Sequence, residues 1–181
     1  MTKKIGIIQG SLRKNSFNKK IAETIAELLP EGYEAKFIEI GDLPLYNEEY
    51  DDGTLETPAS YTRFRNDLEE SDAFIFVTPE YNRAMPATIK NAIDVGSRPY
   101  TDVKWTGKKV AVASSSLAMT AGLRANYEVK TSLSFLGANV LAQPEVILSV
   151  IHDSFDENVQ MVDETKAFLK DFVEKFVGFV E

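Results

Sequence analysis

A five-stranded, doubly wound parallel sheet in the order 2-1-3-4-5, with helices on both faces, is the α/β fold class this sequence predicts. Three observations predict it. Apolar, β-rich segments alternate with stretches of helical periodicity along the whole chain. Two strand-like runs, Ala73-Phe74-Ile75-Phe76-Val77 and Lys109-Val110-Ala111-Val112-Ala113, are nearly unbroken apolar, as parallel strands covered on both faces must be. The 181 residues, 44% apolar and 27% charged, suit one well-buried domain, 1–181, and no repeat, linker or low-complexity stretch divides them. Right-handed crossovers favour the order 2-1-3-4-5, which places ligands beyond the carboxyl ends of the strands, where strands 1 and 3 diverge.

The elements follow in order. Residues 4–10, with Ile5-Gly6-Ile7-Ile8, read as the first strand. A helix follows over 18–29, with Ile21, Ala22, Ile25, Leu28 and Leu29 on one face, until Pro30-Glu31-Gly32 stops it. Segment 34–40 is the second strand, and a polar loop runs from Gly41 to Thr57. Pro58 suits the first turn of a helix ending near Glu70. After the strand at 73–77, Pro86 opens a helix through Asp94. The strand at 109–113 is followed by an amphipathic helix over 122–136. Asn139 to Ala142 begins a fifth strand that extends to Leu148 with a break at Pro144. A last helix over 157–177 sets Val159, Val162, Phe168, Leu169, Phe172, Val173 and Phe176 along one stripe.

Composition removes several classes of chemistry. There is no cysteine, which excludes disulfides, thiolate metal sites and cysteine nucleophiles. The single histidine, His152, beside Asp153, reads as a solvated loop residue and cannot by itself build a histidine metal site or a Ser/His/Asp triad. A net charge of −8 opposes nonspecific nucleic-acid binding. No apolar run approaches the roughly 20 residues of a membrane span, and Met1-Thr2-Lys3-Lys4 leads into a strand without a signal-peptide core. The expectation is a cytoplasmic protein with no membrane or nucleic-acid partner.

Three loops fall at the carboxyl ends of strands 1, 3 and 4. The first, Gly10-Ser11-Leu12-Arg13-Lys14-Asn15-Ser16-Phe17-Asn18, joins a strand to a helix N-terminus. Helix-start amides lack internal partners, and the aligned peptide dipoles favour an anion there. Ser11, Ser16 and Asn18 add donors, and Arg13 adds a forked cation. A capped polar turn is the plainer alternative, since Ser and Asn are ordinary caps. The loop holds neither a Walker lysine motif nor G-x-G-x-x-G. The second loop, Thr78-Pro79-Glu80-Tyr81-Asn82-Arg83-Ala84-Met85-Pro86, is bounded by two prolines that restrict its backbone. Such a turn can lie along the polar edge of a flat heteroaromatic ring, with Tyr81 flanking it or else packing on a helix. The third is the serine run Ser114-Ser115-Ser116.

Together these loops resemble those of the NADPH-dependent FMN reductase family, which has a flavodoxin-like fold. The resemblance rests on G-S-L-R-x-x-S-x-N at Gly10 to Asn18, T-P-E-Y-N at Thr78 to Asn82, and P-x-x-x-K-N-A-I-D at Pro86 to Asp94. A weaker match is the serine run with Gly122-Leu123-Arg124. It covers the chain in order and spacing. It implies bound FMN, with NADPH or NADH as electron donor and a quinone, azo compound, free flavin or similar small molecule as acceptor. It also implies that the chemistry is carried by FMN with no catalytic side chain. The FMN phosphate would sit on the loop Ser11, Leu12, Arg13, Lys14, Asn15, Ser16, Phe17, Asn18. Pro79, Glu80, Tyr81 and Asn82 would line the isoalloxazine edge, and Ser114, Ser115 and Ser116 would approach from the third loop. A homodimer or a homotetramer is implied as well. An electron-carrier flavodoxin without its own reductase activity is the alternative.

Two departures from the family pattern stand out. Ala118 and Ala121 occupy positions where relatives often carry glycine, and Val95 stands where a tryptophan is usual. Trp105 reads as a loop anchor. Tyr46 to Asp52 reads as a solvated loop, with contact of Tyr46 or Tyr50 to substrate as the alternative. Arg124 and Glu145 are a candidate ion pair.

Overall fold

A computed structural model describes residues 2–181. The chain folds as β1 (Lys3–Gln9), α1 (Phe17–Glu27), β2 (Tyr33–Phe37), α2 (Ala59–Glu70), β3 (Ala73–Pro79), α3 (Ala87–Gly96), β4 (Lys109–Ser115), α4 (Leu123–Phe135), β5 (Asn139–Val140), β6 (Val146–Leu148) and α5 (Asp163–Val180). All strand pairs are parallel, in the order β2-β1-β3-β4-β5, with β6 also on β4. The expected order is therefore the observed one.

Strand alternation divides the core into two layers. Ile8, Phe74, Phe76, Val110 and Val112 face α2, α3 and α4, which contribute Tyr61, Phe64, Leu68, Ile89, Ala92, Ile93, Val129 and Leu133. The alternate residues Ile5, Ile7, Ile75, Val77, Ala111 and Ala113 face α1 and α5, with Ile21, Ile25, Leu169, Phe172, Val173 and Phe176. Trp105 is fully buried in the first layer, where its indole donates to the Ile93 carbonyl at 2.9 Å and Phe74 meets it edge-on. It is a core residue as well as an anchor. Val95 is fully buried in the same layer. The substitution of valine for tryptophan thus bears on interior packing rather than on a pocket wall.

Four expectations need correction. The fifth strand is two strands, parted at the expected break: Lys109 pairs with Asn139 and Ala113 with Val146, and the chain between leaves the ladder around Pro144, which has no N–H to donate. The last helix begins at Asp163 rather than 157. The Asp156 carboxylate accepts the amides of Asn158 at 2.9 Å and Gln160 at 2.8 Å, holding a turn that competes with helix. Val159 consequently sits exposed at φ 59° and outside the apolar stripe, while Phe168 on α5 is itself 38% exposed. The segment Tyr46 to Asp52 is docked rather than solvated. Arg65 meets Asp51 at 2.8 Å with both side chains largely buried, and Tyr50 packs edge-on against Tyr61. Finally, Glu145 pairs with Lys130 at 3.1 Å and not with Arg124.

The docked loop is held from α2 and α3. Asn91 donates to the Leu43 and Pro44 carbonyls and accepts the Tyr46 amide at 2.8 Å. The Tyr61 hydroxyl donates to Pro44, and burial pushes its pKa up to about 12. Among the described residues no helix is long and apolar enough to cross a membrane.

Candidate functional site

At the carboxyl end of the sheet, the turns after β1, β3 and β4 enclose a cleft of about 340 Å³. Its first wall is the turn between β1 and α1, whose start is fixed by close packing. A Cβ on Gly10 would lie 2.5 Å from Cδ1 and 2.9 Å from Cγ1 of Ile89 on α3, so a larger residue there would have to displace that buried side chain. Thr88 at the start of α3 donates to the Gly10 carbonyl at 3.0 Å, and Gln9 donates to the Ser11 carbonyl at 2.6 Å.

Beyond Gly10 the amides of Ser11 to Asn15 donate to no acceptor among the described residues. Ser16 caps α1 by accepting the Asn18 amide at 3.1 Å, which leaves its own hydroxyl proton available. Ser11 and Ser16 are buried, whereas Arg13 is exposed and has no carboxylate partner among the described residues. Free amides, two hydroxyls and an unpaired guanidinium at a helix N-terminus form a donor set for a doubly charged phosphate. The residues present therefore fit a phosphate-bearing cofactor such as FMN.

The second wall is Pro79-Glu80-Tyr81. The turn beyond it is closed by paired bonds between Tyr81 and Ala84, each 3.0 Å, with Asn82 and Arg83 at φ 51° and 69°. The Tyr81 amide is thus committed to the turn. Its ring is 51% exposed at the mouth of the cleft. The Glu80 carboxylate accepts the amides of Arg124 at 3.0 Å and Ala125 at 3.4 Å, where α4 starts at Gly122 without a side-chain cap. Glu128 of α4 reaches back to accept the Met85 amide at 2.7 Å. These two carboxylates clamp the turn to α4. Sequence spacing offered no signal for Glu128, because the bond spans 43 positions.

The third wall comes from β4. Adjacent residues of a strand point to opposite faces, and that separates the serines. Ser115 faces α1 and donates to Asn18 Oδ1 at 3.2 Å, tying the first loop to the third. Ser114 faces α4, donating to the Ala121 carbonyl and accepting from Asn126, each at 3.2 Å. Ser114 lies outside the cleft and buttresses the α4 start. Ser116 lines the cleft with Leu117 and Ile151, two apolar residues that motif matching did not find. Ala121, one of the departures, is buried at φ 55°, a left-handed conformation that favours glycine.

Ten of the fifteen expected site residues line this one cleft: Ser11, Arg13, Ser16, Phe17, Asn18, Pro79, Glu80, Tyr81, Ser115 and Ser116. Leu12 and Lys14 point instead into a second groove on the β2 side of the turn, which Arg13 also borders. Asn15 and Asn82 line neither. His152 is exposed beside Asp153 at 3.3 Å.

Known proteins share the family and the fold. The family model for NADPH-dependent FMN reductase matches residues 3–153. A quinone reductase of Pseudomonas putida is 44% identical over 177 residues, covering 98% of this chain and 94% of its own. FerB, a flavoenzyme NAD(P)H:(acceptor) oxidoreductase from Paracoccus denitrificans, superposes with a TM-score of 0.89 at 36% identity, covering 99% of this chain and 97% of the other. A point mutant of a flavodoxin from Pseudomonas aeruginosa shares the fold alone, with a TM-score of 0.64 at 13% identity over 97% of each chain.

Proposed function

Because the chain belongs to the NADPH-dependent FMN reductase family, we propose that its cleft holds FMN by the phosphate loop after β1 and that it reduces a quinone. That it is an FMN-dependent NAD(P)H oxidoreductase follows from the family. The acceptor, the binding residues and the assembly belong to the proposal.

The observation that carries the residue assignment is the convergence of the three turns on one cleft whose first wall is a row of unpaired donors. In this reading the amides of the turn, the hydroxyls of Ser11 and Ser16 and the Asn18 amide group bind the phosphate, and Arg13 supplies its compensating charge. Pro79, Glu80 and Tyr81 form the wall along the ring edge, held at fixed spacing by the Glu80 and Glu128 clamps. Ser115 and Ser116 close the opposite side. When bound, FMN supplies the two-electron chemistry that links nicotinamide to acceptor. The protein supplies position, a rigid ring edge and a mouth beside Tyr81, Leu117 and Ile151 that is apolar enough to receive a flat acceptor.

A quinone is favoured as acceptor by the quinone reductase relative at 44% identity. A homodimer belongs to the same reading, supported by Leu117 and Met119, which stand 66% and 87% exposed next to the cleft and offer apolar surface to a second copy. A cytoplasmic location goes with the use of NAD(P)H as donor. The test is a visible spectrum of the purified protein before and after anaerobic NADPH, followed by addition of benzoquinone. A flavin band that bleaches and is restored by the quinone is expected. Bound flavin that NADPH leaves unchanged would sink the donor and acceptor assignment, and protein that takes up no FMN would sink the site.

A further inference from the structure

The groove on the β2 side of the phosphate turn is not used by the reading above. It has a volume of about 560 Å³ and adjoins the cleft through Arg13, which borders both. We propose that this groove binds the adenosine 2′-phosphate end of NADPH, and that Lys14 and Lys19 make the chain select NADPH over NADH. The proposal rests on the NAD(P)H reductase reading and adds to it a place and a reason for donor choice.

Charge is the first argument. Lys14 is exposed and has no acceptor among the described residues, and Lys19 reaches only 3.8 Å from Glu23, longer than a charge-assisted hydrogen bond. Most other lysines and arginines of this acidic chain are engaged: Lys36 with Asp67 and Glu70, Arg63 with Asp42, Arg65 with Asp51, Lys104 with Glu69 and Asp102. Two carboxylates also border the groove. Glu39 is folded back on its own loop, accepting the Gly41 amide at 2.6 Å, and Glu23 faces Lys19. With Arg13 given to the FMN phosphate, Lys14 and Lys19 are the cations left to this groove, and of its two carboxylates Glu39 is turned onto the Gly41 amide.

Shape is the second argument. Leu12 and Phe37 stand 55% and 50% exposed on the walls of the same groove. Two large apolar side chains exposed in one groove offer contact area to a purine. An adenine there would set a ribose phosphate near Lys14 and Lys19. The 2′-phosphate is the one group by which NADPH differs from NADH, so two lysines without a close acceptor at that point discriminate between the two through charge. The groove shares Arg13 with the cleft, so the two cavities are neighbours on one face of the protein.

The test is calorimetric titration of FMN-loaded protein with adenosine 2′,5′-bisphosphate and with 5′-AMP, at low and high salt. Wild-type protein is expected to bind the bisphosphate about tenfold more tightly, as two exposed charge pairs would give, and salt should erode the difference. Lys19→Glu should cut that ratio severalfold and raise KM for NADPH but not for NADH, with bound FMN, read from the flavin absorbance, unchanged. Lys14→Ala combined with Lys19→Ala should bring the ratio near one. Phe37→Ser should weaken both nucleotides alike. Equal binding of the two nucleotides by wild type, or a wild-type ratio retained in the double variant, overturns the proposal. Failure of the reductase reading shows separately, as loss of the flavin band or a flavin inert to both donors.

Discussion

Replacing Glu80 by alanine removes the only side-chain cap on α4 among the described residues and half of the clamp on the cleft wall. Its carboxylate accepts two first-turn amides, at 3.0 Å and 3.4 Å, from a helix whose own N-cap is Gly122. Loss of a capping side chain costs about 1 kcal/mol, and loss of a negative charge at a helix N-terminus adds roughly 0.3–1 kcal/mol. The sum, about 1–2 kcal/mol, corresponds to a drop in Tm of roughly 3–6 °C for a chain of this length. Glu80→Gln keeps an acceptor oxygen but not the charge, so it should lose about half as much. Because Pro79, Glu80 and Tyr81 form one wall of the cleft, FMN affinity should fall with the clamp, by roughly threefold to tenfold. Scanning calorimetry of apoprotein and fluorescence titration with FMN read the two effects separately. An alanine variant melting within about 1 °C of wild type would falsify the capping argument. Normal stability with weakened FMN binding would instead mean that the carboxylate touches the cofactor directly.

Arg13→Ala should weaken FMN binding by about tenfold or more, the worth of a charge-assisted hydrogen bond, and shift the apoprotein Tm very little because the side chain is exposed. Unchanged FMN affinity in the titration would remove Arg13 from the phosphate site. Ala121→Gly relieves a left-handed alanine at φ 55° and should stabilise the apoprotein by about 0.5–1 kcal/mol in urea unfolding, glycine's backbone entropy offsetting part of the gain. The opposite sign would mean that Ala121 packing outweighs its strain. Asp42 lies beside the Arg63 guanidinium, whose hydrogen bonds hold its carboxyl below the ordinary value of 3.8. A depressed carboxylate contributes stability above its unfolded pKa and loses it as pH falls through the lower folded value. The pair is half-exposed and worth about 0.5 kcal/mol. Asp42→Asn should therefore destabilise at pH 7 and converge with wild type as pH falls below the ordinary carboxylate value of 3.8, which denaturant midpoints followed from pH 7 downward measure.

Much of this molecule could be read along the chain because the signals are local. Apolar runs at 73–77 and 109–113 identify central strands, and the proline at 86 and the serine at 16 mark helix starts through their own backbone preferences. Local competition also explains one difference between expectation and structure and one expected break. Asp156 captures the amides that a helix from 157 would need, and Pro144 interrupts the edge strand. The docking of Tyr46 to Asp52 was not legible, since it depends on Asn91, Tyr61 and Arg65, each far away in sequence.

The site divides in the same way. The strands, the turn after β1 and the proline-bounded turn after β3 were determined by the sequence itself, since each is a contiguous segment whose residue types state its conformation. Which side chains face the cleft was decided only by tertiary structure. Strand parity sends Ser115 to Asn18 and Ser114 to Ala121, and the twist of one turn takes Leu12 and Lys14 away from the cleft that Ser11, Arg13 and Ser16 line. Glu80 and Glu128 find their partners across 44 and 43 positions. A hydrogen bond requires a particular direction over about 3 Å, and between distant segments that direction exists only once the layers have packed.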